Sequence, residues 1–237
     1  MNAMILAAGR GTRLGTLGQQ MPKVLVDLKG EPLLEHQIRY LKDSGIERIV
    51  INAYHLADQI KSFVATHPVA ADIEVVVESK LLGTAGGVRN ALPRLGDEPF
   101  IVLYGDVLVS EQISDVYETH RHSNAWATLT VYGTTEVDGK GTVQIAPDGM
   151  VTGFSEKAAP SVDEDAYVNA GLYVVAPGLL SALPPDVPLD FGHDVFPAAL
   201  QQGQPLAAHL LKARVIDVGT PAMLEMARGC SLPIYPS

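Results

Sequence analysis

Four short apolar runs, each ending in a turn, limit this chain to a small set of folds. They predict buried strands over Met4–Ala8, Ile49–Ile51, Ile73–Val77 and Phe100–Tyr104, with segments of helical periodicity between them. Near-continuous apolar strands that alternate with helices are typical of a parallel sheet that helices cover on both faces. In such sheets, ligands bind beyond the carboxyl ends of the strands. We therefore expect a Rossmann-like α/β arrangement with its site along one edge of the sheet.

The pattern changes after about residue 125. Short predicted strands over 142–145, 151–156 and 168–175 alternate with turn signals such as PDG at 147–149, which favours antiparallel pairing. We expect a mostly parallel, mixed sheet with a small antiparallel portion laid over its end. The chain has 237 residues, of which 47% are hydrophobic, so it can bury one large core, and we treat 1–237 as a single domain.

The first predicted strand runs into the glycine-rich segment LAAGRGTRL at 6–14, which the pair PK at 22–23 follows. Gly9 and Gly11 permit backbone angles that other residues avoid, and they leave room for a ligand close to the backbone. Successive N–H groups in such a turn form a concave anion site. Because two arginines and the lysine of PK add positive charge, the segment predicts a phosphate-binding loop.

Two other phosphate-binding motifs do not fit this segment. A dinucleotide fingerprint needs a third glycine, whereas Leu14 stands in that position. A Walker A loop needs Gly-Lys-Ser/Thr after four intervening residues, and the segment lacks it. From the glycines alone, a plain tight turn remains open as an alternative.

Charge and cysteine content bear on partners and compartment. The net charge of −10 disfavours a nucleic-acid backbone or an anionic membrane surface as a partner. The single cysteine, Cys230, permits no intrachain disulfide and suits a reducing compartment. The first apolar stretch does not have the pattern of a signal peptide, and the uncharged segment 166–185 is too interrupted by glycine and proline to span a membrane. We expect a cytoplasmic protein.

Two aspartates follow predicted strands directly. Asp106 comes after the run 100–104 and Gly105, and Asp217 comes after Val215-Ile216. Each one taken alone is equally consistent with an ordinary turn at a strand end. Together they predict a Mg²⁺ site, because Mg²⁺ prefers oxygen ligands and neutralises charge that builds on phosphates.

Three further polar groups are candidates with structural alternatives. Glu156 and Lys157 are adjacent, so they could reach one ligand only at a strand end, and a solvated turn is the alternative. Asn169 can read hydroxyl groups through its amide, or it can simply shape a turn. Thr84 is a candidate cap for the helix predicted to follow it.

Taken in order, these segments resemble the signature of the sugar-1-phosphate nucleotidyltransferases. The matching segments are LAAGRGTRL at 6–14, PK at 22–23, LGTAGG at 82–87, GD at 105–106, FSEK at 154–157, NAG at 169–171 and DVGTP at 217–221. Their order and spacing cover residues 3–221, and the length resembles the short form of the family. Two positions depart from the family pattern: Val24 follows the PK lysine, and Lys140 precedes Gly141 where relatives often carry tyrosine.

The resemblance implies the nucleotide-diphospho-sugar transferase fold, with a nucleotide-binding part over about 1–125 and a sugar-binding part over about 126–220. It implies catalytic roles for Arg13, Lys23 and Asp106, and it places Mg²⁺ on Asp106 and Asp217. The residues implied to bind nucleotide are Leu6, Ala8, Gly9, Gly11, Thr12, Arg13, Gly83 and Thr84. Those implied to bind the sugar phosphate are Lys23, Gly141, Glu156, Lys157 and Asn169.

The activity implied by the resemblance is the synthesis of a nucleoside-diphosphate sugar and pyrophosphate from a nucleoside triphosphate and a sugar-1-phosphate. The family segments favour GTP with a mannose- or heptose-type sugar. Thymidylyl or uridylyl transfer, to glucose-1-phosphate or N-acetylmuramate-1-phosphate, stays open, as does a non-catalytic sensing homologue. A glycosyltransferase would be expected to show a D-x-D motif, whereas Val107-Leu108 follow Asp106. The family also suggests a homodimer.

Overall fold

The computed structural model describes residues 1–135, 140–155, 166–212 and 215–230. Its strands are β1 (Asn2–Leu6), β2 (Asp27–Leu28), β3 (Glu31–Pro32), β4 (Arg48–Ala53), β5 (Ile73–Val77), β6 (Phe100–Tyr104), β7 (Val107–Val109), β8 (Ala127–Thr134), β9 (Thr142–Ile145), β10 (Val151–Ser155), β11 (Ala166–Val175), β12 (Leu206–Leu210) and β13 (Val215–Asp217). Its helices are α1 (Thr16–Gln20), α2 (Leu33–Asp43), α3 (Ala57–Ala65), α4 (Gly83–Leu95), α5 (Ile113–Ser123), α6 (Pro177–Ser181), α7 (Phe196–Gln201) and α8 (Pro221–Gly229). Shorter helical turns lie at Thr12–Leu14, Lys23–Leu25, Ala70–Asp72 and Phe191–Val195.

One mixed sheet runs through the molecule in the order β10-β9-β11-β6-β1-β4-β5, with β8 paired to β11 and β12 paired to β8. The pairs β1–β4, β1–β6 and β4–β5 are parallel, as the apolar runs predict. The α/β fold with a mixed sheet is therefore confirmed. The antiparallel portion is continuous with the same sheet, because β11 pairs directly with β6 over Leu172–Val175.

The strands alternate between two apolar layers, since successive side chains of a strand point to opposite faces. Ile5, Ile51 and Leu103 lie in one layer, which α2, α3 and α5 cover. Met4 and Val50 lie in the other layer, which α4, α6 and α7 cover. Helices therefore pack on both faces of the sheet, and the carboxyl ends of β1, β4, β5 and β6 share one edge.

A third apolar cluster lies beyond that edge and joins segments distant in sequence. Its buried members are Leu14, Val26, Leu28, Leu33, Leu108, Ile216, Val218, Leu224 and Ala227. It packs the glycine-rich loop against α8 and against β7 and β13, which pair with each other in antiparallel orientation. This packing holds the start and the end of the chain together at the site described below.

The uncharged segment 166–185 forms β11 and α6, with a break between them. Across the described ranges, no helix combines the length and the apolar character that a membrane crossing requires.

Candidate active site

A first pocket of about 280 Å³ opens at the carboxyl ends of the parallel strands. Its walls include the loop from Leu6 to Gly9, Lys23 and the first turn of α4. This is the edge at which the parallel strand pattern predicts a ligand.

A second pocket of about 700 Å³ lies beside the first one. Arg13, the β11 residues 168–171 and Asp217 contribute to its lining. Tyr104, Asp106 and Asp190 line both pockets. Ligands bound in the two pockets would therefore meet at these three side chains.

Lys23 and Asp106 form an ion pair at this boundary. The distance between Lys23 Nζ and Asp106 Oδ2 is 2.6 Å, and the two side chains are 13% and 27% exposed. Solvent therefore still reaches both charges. The boundary between the pockets carries one fixed cation and at least one carboxylate, which is the combination that phosphates and a bound metal ion require.

The turn after β6 fixes the position of Asp106. Gly105 donates its N–H to the Leu6 carbonyl at 2.9 Å, and a Cβ atom on Gly105 would overlap that oxygen. Gln37, buried in α2, donates from Nε2 to the carbonyls of Tyr104 and Val107, each at 2.9 Å. The turn is thus bonded on two sides and presents its aspartate to both pockets.

Asp217 comes beside Asp106 because β13 pairs with β7. In that pairing Asp217 lies opposite Val107, and Val218 donates its N–H to the Asp106 carbonyl at 2.8 Å. The Asp217 Oδ1 atom is buried and has no hydrogen-bond partner among the described residues. Burial, and after it the neighbouring Asp106 carboxylate, raises the pKa of Asp217 above its ordinary value, while Lys23, a backbone hydrogen bond from Gly219 and Arg13 act against that rise. A cation bound at this carboxylate would offset both its burial and the repulsion from Asp106.

The two aspartates suit one kind of metal better than another. In the part of the chain that the structure describes, no group of three or more His, Cys, Asp or Glu side chains could hold a metal ion. A structural zinc site needs four such ligands. Mg²⁺ binds through one or two carboxylates and completes its shell with water and substrate phosphates. Asp106 and Asp217 therefore fit a Mg²⁺ ion that binds together with a nucleotide.

A buried polar network holds the floor of the first pocket. Asn52 Oδ1 accepts the Ala7 N–H at 2.8 Å, and Asn52 Nδ2 donates to Glu78 Oε1 at 2.7 Å. Glu78 Oε2 accepts the Leu82 N–H at 3.0 Å. Burial raises the pKa of Glu78 above its ordinary value, although the hydrogen bonds from Asn52 and Leu82 act in the opposite direction. The network ties the glycine-rich loop to the segment that begins α4.

A family model described as nucleotidyl transferase matches residues 2–229. The chain belongs to the nucleotidyl transferase family. Membership confirms the resemblance that the order of the sequence segments indicates.

Relatives with assigned activities resemble this chain over nearly all of its length. It is 28% identical to the UTP–glucose-1-phosphate uridylyltransferase of Synechocystis sp., over 97% of this chain and 63% of that protein. It is 29% identical to the mannose-1-phosphate guanylyltransferase of Mycobacterium tuberculosis, over 93% of this chain and 62% of that protein. The chain thus spans a little under two thirds of the length of these relatives.

Two solved structures share the fold. HddC from Yersinia pseudotuberculosis, in complex with GMP-PN, superposes with a TM-score of 0.81 at 27% identity, covering 96% of this chain and 98% of that one. A putative glucose-1-phosphate thymidylyltransferase from Bacillus anthracis superposes with a TM-score of 0.84 at 22% identity, covering 97% of this chain and 94% of that one. The second likeness concerns the fold alone.

The structure divides the residues predicted to bind nucleotide between several surfaces. Those that line the first pocket are Leu6, Ala8, Gly9, Gly83 and Thr84. Arg13 lines the second pocket, whereas Thr12 and Arg10 line a third pocket of about 390 Å³ beside Tyr54 and His55. Gly11 packs against Gly18. The glycine-rich loop therefore presents its backbone to the first pocket and directs its longer side chains elsewhere.

The predicted sugar-phosphate residues are only partly within the described ranges. Gly141 and Asn169 line the second pocket, whereas Glu156 and Lys157 lie outside the described residues. Asn169 donates from Nδ2 to the Tyr173 hydroxyl at 2.6 Å and accepts the Gly171 N–H at 3.1 Å. Its side chain thus shapes the turn at the pocket wall, and its contact with a sugar hydroxyl stays a prediction.

Lys140, at the position where relatives often carry tyrosine, also lines the second pocket. Its Nζ atom lies 5.7 Å from the centre of the Tyr132 ring. A cation over an aromatic face is attracted to it. This departure from the family pattern therefore places a positive charge and an aromatic ring together on the same wall.

The prediction that Thr84 caps α4 is wrong. The helix begins at Gly83, and the Thr84 hydroxyl donates to Asp190 Oδ2 at 2.8 Å and accepts the Phe191 N–H at 2.9 Å. The N–H groups of Ala85 and Gly86 instead donate to the Leu189 carbonyl, at 2.9 and 3.0 Å. A segment distant in sequence therefore accepts the hydrogen bonds of the first N–H groups of α4, and no local sequence pattern predicts this contact.

Replacing Gly83 with alanine should lower the free energy of unfolding. Gly83 has φ of +73°, and a Cβ atom there would overlap the Leu189 carbonyl. Gly203 also has a positive φ, of +69°, but a Cβ atom there would meet no other atom within 4 Å, so Gly203→Ala is a matched control. We expect a loss of about 1 kcal/mol for the control and roughly 2–4 kcal/mol for Gly83→Ala in urea unfolding. Equal losses would contradict the close packing on Leu189.

Three residues of the candidate site are absent from the sequence predictions. Asn52 is the next-to-last residue of the buried strand β4, and Asp106 comes two residues after the end of β6. The strand-end pattern that indicates Asp106 could therefore have indicated Asn52 as well. Tyr104 lies inside an apolar run, where an aromatic residue is expected in the core. Asp190 has only the weak signal of an acidic residue that opens a helical turn.

Proposed function

We propose that this chain transfers a nucleotidyl group from a nucleoside triphosphate to a sugar-1-phosphate, releasing pyrophosphate. The observation that carries the proposal is the meeting of two pockets at Asp106, which is paired with Lys23. One pocket suits the nucleotide and the other the sugar phosphate. A reaction that joins two phosphates needs both groups to meet beside a cation.

The chemistry requires positioning and charge rather than a base. A phosphate oxygen of the sugar-1-phosphate, already anionic at neutral pH, attacks the α-phosphorus of the nucleotide. A new P–O bond forms, the bond to the β-phosphate breaks, and pyrophosphate leaves with the electron pair. Lys23 offsets the repulsion between the two anions, and Arg13 attracts the departing pyrophosphate. Such positioning and electrostatic stabilisation supply most of the catalysis in phosphoryl transfer.

Asp106 and Asp217 are the residues we propose to hold Mg²⁺. When bound, the ion neutralises charge on the nucleotide phosphates. The unpartnered Oδ1 atom of Asp217 supports this assignment, since it is buried and accepts no hydrogen bond within the described ranges.

Among nucleotides, we propose GTP, with a mannose- or heptose-type sugar-1-phosphate. The guanylyltransferase from Mycobacterium tuberculosis and the GMP-PN complex of HddC support the choice of guanine. The uridylyltransferase from Synechocystis sp. makes UTP with glucose-1-phosphate the second candidate pair.

We further propose that about 1–125 form the nucleotide part and about 126–220 the sugar part. The lining of the first pocket supports this division, because apart from Asp190 its residues fall between 6 and 106. The second pocket draws mainly on later residues. The homodimer and the cytoplasmic location stay predictions.

A substrate panel tests the proposed function. GTP, UTP, dTTP, ATP and CTP are each combined with mannose-, glucose-, heptose- and N-acetylmuramate-1-phosphate, and pyrophosphate release is measured. We expect one nucleotide to be strongly preferred and release to require both substrates. Nucleotide binding without turnover of any pair would favour a sensing homologue over the enzyme.

A further inference from the structure

We infer that the Asp190 carboxylate accepts a hydroxyl group of a substrate at the boundary between the two pockets, and so helps to select sugar rings. The inference rests on the proposed function, which it deepens by naming a specificity residue. Asp190 is half-buried and lines both pockets, a property it shares with Tyr104 and Asp106.

The Asp190 carboxylate is fixed before any ligand binds. Its Oδ2 atom accepts the Thr84 hydroxyl at 2.8 Å, and its Oδ1 atom accepts the Gly192 N–H at 3.0 Å. Thr84 is itself oriented, because its oxygen accepts the Phe191 N–H at 2.9 Å. The Asp190 N–H donates to Asp194 Oδ2 at 2.7 Å. The side chain therefore needs no rearrangement to present its remaining lone pairs.

The carboxylate has acceptor capacity left for a ligand. A carboxylate has about four lone-pair sites, and two are used here. None of the ion pairs that lysine and arginine side chains form within the described ranges involves Asp190. Its negative charge therefore remains available at the pocket wall.

The sign of that charge identifies the kind of group it meets. A carboxylate repels phosphate oxygens and attracts hydrogen-bond donors, so Asp190 cannot serve the phosphates that Lys23 and Arg13 attract. The boundary is also where the two reacting phosphates meet, because Asp106 and Lys23 lie there. The rings attached directly to those phosphates are the ribose and the sugar. Their hydroxyl groups are the donors that these two rings offer to Asp190.

The capping role of Asp190 is the competing explanation, and Asp194 provides a matched control. Both aspartates accept backbone N–H groups in the same helical turn, but Asp194 does not line either pocket. Asparagine accepts such hydrogen bonds nearly as well as aspartate. Asp190→Asn and Asp194→Asn should therefore have similar Tm values. Only Asp190→Asn should alter substrate selection.

The experiment measures kcat/KM with the preferred substrate pair and with analogues that lack one hydroxyl: 2′-deoxy and 3′-deoxy nucleotides, and deoxy sugar phosphates. For the unmodified protein, we expect kcat/KM to be roughly 10- to 100-fold lower with one of these analogues than with the parent substrate. In Asp190→Asn that discrimination should shrink to a few-fold, mainly through KM, and Asp194→Asn should keep it. The analogue concerned tells whether the hydroxyl belongs to the ribose or to the sugar.

Thr84→Val is a second variant. It keeps the charge of Asp190 but removes the Thr84 hydrogen bond that orients the carboxylate, so discrimination between the hydroxylated substrate and its deoxy analogue should fall in part. Unchanged discrimination in Asp190→Asn across all analogues, or equal losses in Asp190→Asn and Asp194→Asn, would overturn the inference. Either result requires an active unmodified protein. A failure of the proposed function would instead appear as absence of turnover in the unmodified protein.

Discussion

Lys23→Ala should lower turnover by roughly 10²- to 10³-fold, as expected when a group that stabilises transition-state charge is removed. Lys23 lies on the wall of the first pocket, 2.6 Å from the Asp106 carboxylate, at the boundary where the two phosphates meet. Without the Lys23 ammonium, the site loses the main positive charge that offsets the repulsion between the two anionic substrates. Steady-state pyrophosphate release with the preferred pair measures the effect.

Lys42→Ala is the matched control for this change. Lys42 forms an ion pair with Asp72 at 2.8 Å on the surface, outside both pockets. We expect near-normal turnover in the control. Lys23→Ala should also remain folded, because both partners of its ion pair keep solvent contact and the loss in unfolding free energy should be about 1–3 kcal/mol. A folded Lys23→Ala protein with near-normal rates would contradict the assignment of Lys23.

Asp106→Asn should lower turnover by orders of magnitude and raise the Mg²⁺ concentration needed for half-maximal rate. The change removes one of two adjacent carboxylates, and Asp217 alone is a poorer match for the ion. It also deprives Lys23 of its charged partner. Initial rates measured across a Mg²⁺ series separate a weaker metal site from a general loss of activity.

Asp72→Asn controls for the loss of one carboxylate from a lysine pair, since Asp72 pairs with Lys42 on the surface. Its rate and Mg²⁺ requirement should match those of the unmodified protein. If Asp106→Asn kept both the rate and the Mg²⁺ requirement while folded, the metal would have to bind elsewhere.

The sequence predicts much of this site because strand ends and parallel sheets are local patterns with a global consequence. The apolar runs before the glycine-rich loop and before Asp106 place both at one sheet edge, and the structure has them there. Asp217 follows from the same rule, although its strand pairs with β7 outside the main sheet. The structure places Asp217 beside Asp106, and its role as a metal ligand stays a prediction.

The rest depends on contacts between distant segments, which local patterns do not encode. The residues around Thr84 predict that it caps α4, yet its hydroxyl donates a hydrogen bond to Asp190, which is 106 residues away. The short strands after residue 125 are predicted only to lie over the end of the sheet, and it is the free edge of β6 that accepts β11. In each case a partner absent from the local sequence decides the role.

The most direct test of the central claim is a product balance with the preferred substrate pair. If the two pockets hold the two reactants of a nucleotidyl transfer, each nucleotide consumed should yield one pyrophosphate and one nucleoside-diphosphate sugar, and omitting the sugar-1-phosphate should abolish both. Mass spectrometry of the nucleotide products, together with a pyrophosphate assay, gives this balance. Release of inorganic phosphate, or consumption of the nucleotide without the sugar-1-phosphate, would contradict the account.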